Sequence, residues 1–171
     1  LMKKDLEEFN ILLDEQQINQ FNKYYELLKE WNSFMNLTTI IEFDEVLKKH
    51  FVDSLSLVKV LPDLLQKDYS LIDIGTGAGF PGIPLKIVFS NLKITLLDSL
   101  NKRVRFLNEV IDQLGLENIT VIHGRAEDFA KPDKLRESFE ICVSRAVANL
   151  TILSEYCIPF VKKGGYFISY K

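Results

Sequence analysis

Leu71-Ile72-Asp73-Ile74-Gly75-Thr76-Gly77-Ala78-Gly79-Phe80-Pro81-Gly82 is the stretch that decides the fold. An apolar run carrying one aspartate leads into glycines at alternate positions. Glycine has no Cβ, so at this spacing the backbone can pass close to a bulky ligand. A second acid, Asp98, ends the next apolar run. An acid at the end of a neighbouring strand is placed to take the two hydroxyls of a ribose. The pattern predicts a nucleoside-cofactor site at the carboxyl edge of a parallel sheet.

The spacing also selects among nucleosides. A dinucleotide fingerprint is Gly-x-Gly-x-x-Gly, and counted from Gly75 its third glycine would fall on Phe80. The run Phe80-Pro81-Gly82-Ile83-Pro84 also disturbs the helix N-terminus that would hold a pyrophosphate. An NAD-dependent oxidoreductase is therefore disfavoured. The glycines of Gly75, Gly77 and Gly79, with acids at Asp73 and Asp98, resemble motif I of the S-adenosylmethionine-dependent methyltransferases, whose ligand carries no phosphate. A glycine-rich strand-to-helix turn with no ligand is the plain alternative.

Outward from this loop the chain alternates strand and helix. Strands are expected at 70–74, 93–97, 119–122, 139–143 and 166–170. Helices are expected over Pro84–Phe89, Lys102–Leu114 and Leu150–Ile158. Val104, Leu107, Ile111 and Leu114 fall on one helical face, and Gly115 is placed to end that helix. Asn149 is a cap for the last helix, Pro159 marks its end, and Gly164-Gly165 is expected to turn into the final strand. Such alternation predicts an α/β fold with a doubly wound, mostly parallel sheet of Rossmann-like type. The last apolar strand runs to Tyr170, where a methyltransferase-like sheet normally continues, so the C-terminal strands are expected to be missing.

Residues 1–66 read differently. Ile18, Phe21, Tyr25, Leu28 and Met35 lie near one helical stripe. A second helix is expected after Asp44 as N-cap, and a third over Ser54 to Leu65, interrupted near Pro62. The organisation expected is an N-terminal helical subdomain, 1–66, and a cofactor-binding domain, 67–171.

Composition narrows the class. A chain of 171 residues with 47% hydrophobic and 26% charged residues is ordinary for a globular protein. No apolar run reaches the roughly 18 residues of a membrane helix, and Lys3-Lys4-Asp5 does not begin a secretory leader. Cys142 and Cys157 form no metal-like or redox motif and read as buried thiols of a cytoplasmic protein. The net charge is −3, but its distribution is uneven. Residues 1–66 hold 7 Lys and Arg against 12 Asp and Glu, whereas residues 67–171 hold 14 against 12. The slightly basic half carries the cofactor signature, which permits an RNA substrate.

Each strand end carries specific chemistry. The second is followed by Asp98-Ser99-Leu100-Asn101-Lys102-Arg103, the third by His123-Gly124-Arg125-Ala126-Glu127-Asp128, and the fourth by Ser144-Arg145-Ala146-Val147. With Asp73 to Pro84, His123 to Glu127 and Ser144 to Ala146, the chain resembles the small-subunit ribosomal RNA methyltransferase G family, also called glucose-inhibited division protein B. Asn36-Leu37-Thr38 and His50-Phe51-Val52-Asp53-Ser54 match its N-terminal pattern. The resemblance implies methylation of guanine N7 in small-subunit (16S) rRNA, with S-adenosylmethionine as donor; no metal and no membrane are expected. It puts the cofactor on Gly75, Phe80, Ala126, Glu127 and Arg145.

The residues themselves leave choices open. Asp98 is a ribose acid or a turn acid, and Glu127 meets the adenine edge or caps a turn. Phe80 packs on the ligand or fills the core. Arg145, the best candidate in the cleft, holds the cofactor carboxylate, an RNA phosphate or a structural ion pair. Lys102, Arg103 and Arg125 are candidates for RNA phosphates. His50 and His123 are expected to pack and hydrogen-bond, because guanine N7 needs no general base. A methyltransferase for another substrate, and a non-catalytic S-adenosylmethionine-binding module, are the competing readings.

Overall fold

A computed structural model describes residues 2–145 and 148–170. Ala146 and Val147, quoted above after the fourth strand, lie outside the described residues.

Five apolar runs form five strands, β1 (Ser70–Ile74), β2 (Lys93–Asp98), β3 (Ile119–His123), β4 (Phe139–Ser144) and β5 (Val161–Ser169). They pair in parallel in the order β3-β2-β1-β4-β5. Central parallel strands are covered on both faces, so they read as nearly continuous apolar runs rather than alternating ones. Leu71, Ile94, Leu96, Ile141 and Val143 join one core, and Ile72, Ile74, Leu97 and Cys142 join the other. Helices α5 (Gly82–Val88) and α6 (Asn101–Leu114) supply the first core. The short α7 (Ala126–Phe129) and α8 (Leu150–Cys157) cover the second. Strand order reverses at β1, between β2 and β4, and in open α/β sheets the ligand crevice lies beyond the strand ends at such a point.

The first four strands fall within one residue of their expected bounds. The fifth starts earlier, and Gly164-Gly165 lies inside it. Its pairing with β4 jumps from Phe139–Val161 to Ile141–Tyr166, so the strand bulges there. A Cβ on Gly165 would stand 2.4 Å from the Glu140 carbonyl oxygen, so the glycine serves a close approach rather than a turn. Helix α6 ends as expected: Gly115 adopts φ +64° and its amide donates to the Asp112 carbonyl. Asn149 caps α8 by accepting from the Ile152 amide at 3.0 Å.

The N-terminal segment folds onto the α5–α6 face and shares its core. It holds α1 (Met2–Glu7) and α2 (Glu15–Met35). Helix α2 opens with a capping box, Asp14 accepting from the Gln17 amide while the Gln17 side chain accepts from the Asp14 amide. Its buried face is Phe21, Tyr24, Leu27 and Leu28. Of the expected stripe Phe21 and Leu28 are buried and Tyr25 and Met35 pack against the core half-buried, whereas Ile18 is 37% exposed and Tyr24 is the tyrosine fully buried. The second helix, α3 (Phe43–Val46), begins after Glu42, so Asp44 sits in the first turn instead of at the cap. An acid there still meets the positive end of the helix. The winding continues without a break through a π turn over Leu47–Val52, α4 (Asp53–Leu55) and a 3₁₀ turn over Ser56–Lys59. It stops short of Pro62, so the separate helix expected to reach Leu65 is absent. Cys142 and Cys157 are free, buried and in side-chain contact across the second core, a proximity their separation in sequence does not show.

Among the described residues, no helix is long and apolar enough to cross a membrane. No group of three His, Cys, Asp or Glu among them is arranged to hold a metal ion.

Candidate active site

The glycine loop leaves β1 with φ of +66°, +61° and +100° at Gly75, Gly77 and Gly79, a region that L side chains rarely adopt. The amides of Gly75 and Thr76 both donate to the Leu97 carbonyl, which ties the loop to the end of β2. Asp98 adds a second tie: Oδ2 accepts from the Gly77 amide at 2.9 Å and Oδ1 from the Leu100 amide at 3.0 Å. Arg103 stands 3.6 Å from Oδ2. A carboxylate has about four acceptor sites, so Asp98 retains capacity for a further donor.

Asp73 works from behind the loop. It is fully buried, and its Oδ2 accepts from the Thr76 hydroxyl at 2.7 Å and the Gly82 amide at 2.9 Å. Its Oδ1 has no hydrogen-bond partner among the described residues. Burial pushes this carboxyl up to about 8, against the pull of Thr76 and Gly82. Glycine suits that corner, since a Cβ on residue 82 would lie 2.3 Å from Leu96 Cδ2 and 3.0 Å from Asp73 Oδ2, and the Leu96 side chain would have to shift. The N-terminal segment braces the same loop. The Tyr24 hydroxyl donates to the Ala78 carbonyl. Phe80 stacks on His50 at 4.3 Å between centroids and 9° between planes, with Tyr24 beside it at 5.5 Å.

In front of the loop lies a cleft of about 440 Å³, within the usual range for small-molecule sites. Gly75, Leu97, Asp98 and Ser99 line it from β1 and β2. Arg125, Ala126 and Glu127 line it from the start of α7, and Leu153 and Tyr156 from α8. The structure thus gathers Gly75, Asp98, Arg125, Ala126 and Glu127 into one cavity. Asp73 and Phe80 are buried behind the loop, and Gly79 is buried on its rear side against Tyr24 and Ile83. Arg145, beyond β4, turns to the N-terminal segment: Nη1 donates to the Lys49 carbonyl at 3.0 Å and to Asp53 Oδ2 at 3.2 Å, and Nη2 to His50 Nδ1 at 2.7 Å. Lys102 Nζ donates to the Met35 carbonyl at 3.1 Å, closing the C-terminus of α2. His123 Nε2 lies 3.1 Å from the Ser99 carbonyl.

Tyr24, Asp53, Leu153 and Tyr156 were not singled out from the sequence. Asp53 stands in the quoted His50-to-Ser54 string, which was its available signal. The aromatic and leucine of α8 carry none, because an amphipathic helix looks the same whether it covers a sheet or a ligand.

The cleft suits an amphiphilic nucleoside. It has an apolar wall of Leu97, Ala126, Leu153 and Tyr156, a buried acid, and a backbone that approaches without Cβ atoms. The fold is that of the Rossmann-like S-adenosylmethionine-dependent methyltransferases. A solved S-adenosylmethionine-dependent methyltransferase from Thiobacillus denitrificans, in complex with S-adenosyl-L-homocysteine, shares the fold: TM-score 0.56, 15% identity, 68% of this chain and 46% of that one covered. The chain belongs to the rRNA small subunit methyltransferase G family, which matches it over residues 17–171. Ribosomal RNA small subunit methyltransferase G of Lachnoclostridium phytofermentans is 58% identical over 93% of the chain, which spans 65% of that relative. Its counterpart in Clostridium botulinum strain Loch Maree is 52% identical over the whole chain, which spans 71% of it.

Proposed function

We propose that this protein transfers a methyl group from S-adenosylmethionine to N7 of a guanine in small-subunit (16S) ribosomal RNA, in the cytoplasm. The observation that carries the reading is the convergence of the glycine loop, Asp98 and Ala126–Glu127 on one cleft in a chain of this family. When bound, the cofactor supplies an electrophilic sulfonium methyl.

The chain's residues are then asked to bind, orient and exclude water. Asp98 takes the ribose hydroxyls while holding the Gly77 amide in place. Ala126 and Glu127 meet the adenine edge, with Tyr156 as the facing wall. Gly75 and Gly77 allow close backbone approach, with Asp73, Gly79 and Phe80 fixing the loop from behind. Arg145 holds the carboxylate end. Guanine N7 carries an in-plane lone pair and no proton at neutral pH, so alignment rather than deprotonation is the protein's task. His50 fits this account: burial, with Arg145 and Lys49 nearby, lowers its pKa to about 4, and its ring is already committed to hydrogen bonds on both nitrogens.

Recognition of the RNA rests on cations at the carboxyl edge. Arg125 is exposed at the cleft mouth, and Lys102 is exposed at the start of α6. Arg103 is partly covered by its contact with Asp98 and contributes less. The helical segment 1–66 serves as a subdomain that braces the glycine loop.

The test offers labelled S-adenosylmethionine with unmodified small ribosomal subunits and, separately, naked small-subunit rRNA, followed by nucleoside mass spectrometry. Label in 7-methylguanosine is the expected result, and the productive arm identifies the substrate form. Label in another nucleoside, or in protein only, overturns the substrate assignment.

A further inference from the structure

His50 is buried, yet it is one of the few polar groups in the core of the helical segment. Three contacts fix its state. An arginine N–H can only donate, so the 2.7 Å contact from Arg145 Nη2 makes His50 Nδ1 an acceptor without a proton. The proton of the neutral ring is then on Nε2, which donates to Thr38 Oγ1 at 3.1 Å. Thr38 Oγ1 also accepts from the Ile40 amide at 3.1 Å, tying the ring to the connection after α2. The ring face lies on Phe80 at 4.3 Å, and Phe80 belongs to the glycine loop. Burial holds the imidazole neutral, with a pKa of about 4, so it stays an acceptor across the physiological range.

The guanidinium at the other end is equally constrained. Its carbon lies 5.2 Å from the Phe80 ring centroid. Of five N–H groups, Nη1 uses two on the Lys49 carbonyl and Asp53, and Nη2 uses one on His50. The Nε–H and the second Nη2–H have no other partner among the described residues. Those two can grip a carboxylate through two parallel bonds. The π turn over Leu47–Val52 carries both the Lys49 carbonyl and His50, and π turns recur at functional sites.

We propose that His50 is a positioning residue: its unprotonated Nδ1, with Asp53, clamps the Arg145 guanidinium over Phe80 so that the remaining N–H pair meets the carboxylate of the cofactor's methionine portion. The inference rests on the cofactor reading given above and extends it to a residue that does not touch the cofactor. It separates acceptor from ring. In His50→Phe the ring can still stack on Phe80, but the acceptor is lost. In His50→Asn the amide oxygen stands near the place of Nδ1 and can take the Arg145 proton, while the stack is lost.

The experiment measures S-adenosylmethionine binding by calorimetry to the wild-type chain and both variants, with thermal unfolding as a control on folding. Loss of a hydrogen bond to a charged group predicts roughly tenfold weaker binding in His50→Phe, with His50→Asn recovering most of it. Equal affinity in wild type and His50→Phe overturns the proposal, as does a His50→Asn affinity no better than that of His50→Phe. Nitrogen-15 NMR of His50 in the wild type gives an independent reading that requires no variant to fold: a bare Nδ1 at neutral pH is expected, and a protonated Nδ1 overturns the clamp. Absence of cofactor binding by the wild type removes the cofactor reading and the clamp together, whereas binding that ignores both substitutions removes the clamp alone.

Discussion

The Gly82 amide donates to Oδ2 of Asp73 at 2.9 Å, closing the glycine loop from its first acid to the first residue of α5. With the Thr76 hydroxyl on the same oxygen and the Gly77 amide on Asp98, that bond holds the loop through its three left-handed glycines. The acid of the motif is a strut. The acid that faces the cleft is Asp98, and even Asp98 spends one oxygen on the loop's own Gly77 amide.

Asp73 makes stability depend on pH in a defined direction. Its folded-state pKa is about 8 against a reference of 3.8. Between these values the folded chain retains a proton that the unfolded chain has released. Its contribution is therefore complete below the lower value and is lost as pH rises towards the upper one. Urea unfolding at about pH 5 and about pH 8 should show wild type losing stability across this interval more steeply than Asp73→Asn. Parallel behaviour of the two proteins would show that Asp73 is ionised in the fold.

Tyr24 ties α2 to the loop through the Ala78 carbonyl. Tyr24→Phe keeps the ring on Phe80 and leaves that buried carbonyl without its partner. A loss of about 1–3 kcal/mol in unfolding free energy is expected. Cofactor affinity should weaken with it, because the loop loses a brace. Unchanged stability would mean that the loop holds itself.

Asp98→Ala removes the acceptor for the Gly77 and Leu100 amides and the acid proposed for the ribose. S-adenosylmethionine affinity should fall by about tenfold or more, as expected for lost charge-assisted bonds. Wild-type affinity in this variant would take the ribose role away from Asp98.

Gly82→Ala places a methyl against Leu96 and Asp73. Overpacking of this kind costs about 1–3 kcal/mol, visible as a lowered unfolding midpoint. A neutral outcome would show that the β1–α5 corner yields easily.

Arg125 at the cleft mouth is the cation best placed for RNA. Arg125→Ala should weaken rRNA binding and reduce the slope of log affinity against log salt by about 1. An unaltered slope would move the phosphate contacts elsewhere.

The parallel sheet and its loop were legible because their signals are local. A buried parallel strand is an apolar run, and a left-handed turn needs glycine. Four strand bounds and the Gly115 stop follow from those rules. The helical segment is less local in its signals. Its periodicity points to Tyr25, which packs half-buried, but the fully buried tyrosine is Tyr24, held by a hydrogen bond to a loop 54 residues away. Asp44 looks like a cap, yet the helix starts one residue before it. The π turn that carries His50 and the Lys49 carbonyl has no sequence rule. The site shows the same division. Asp98, Ala126 and Glu127 stood out at strand ends, whereas Tyr156 reaches the cleft from a helix on the far face, which only the packed fold reveals.

The strand ends are expected to build one nucleoside cleft in front of the glycine loop. A crystal structure of this chain with S-adenosylhomocysteine tests it most directly. The ribose is expected within hydrogen-bond reach of Asp98 and the adenine between Ala126–Glu127 and Tyr156. The ligand bound at any other surface, with Asp98 untouched, would contradict it.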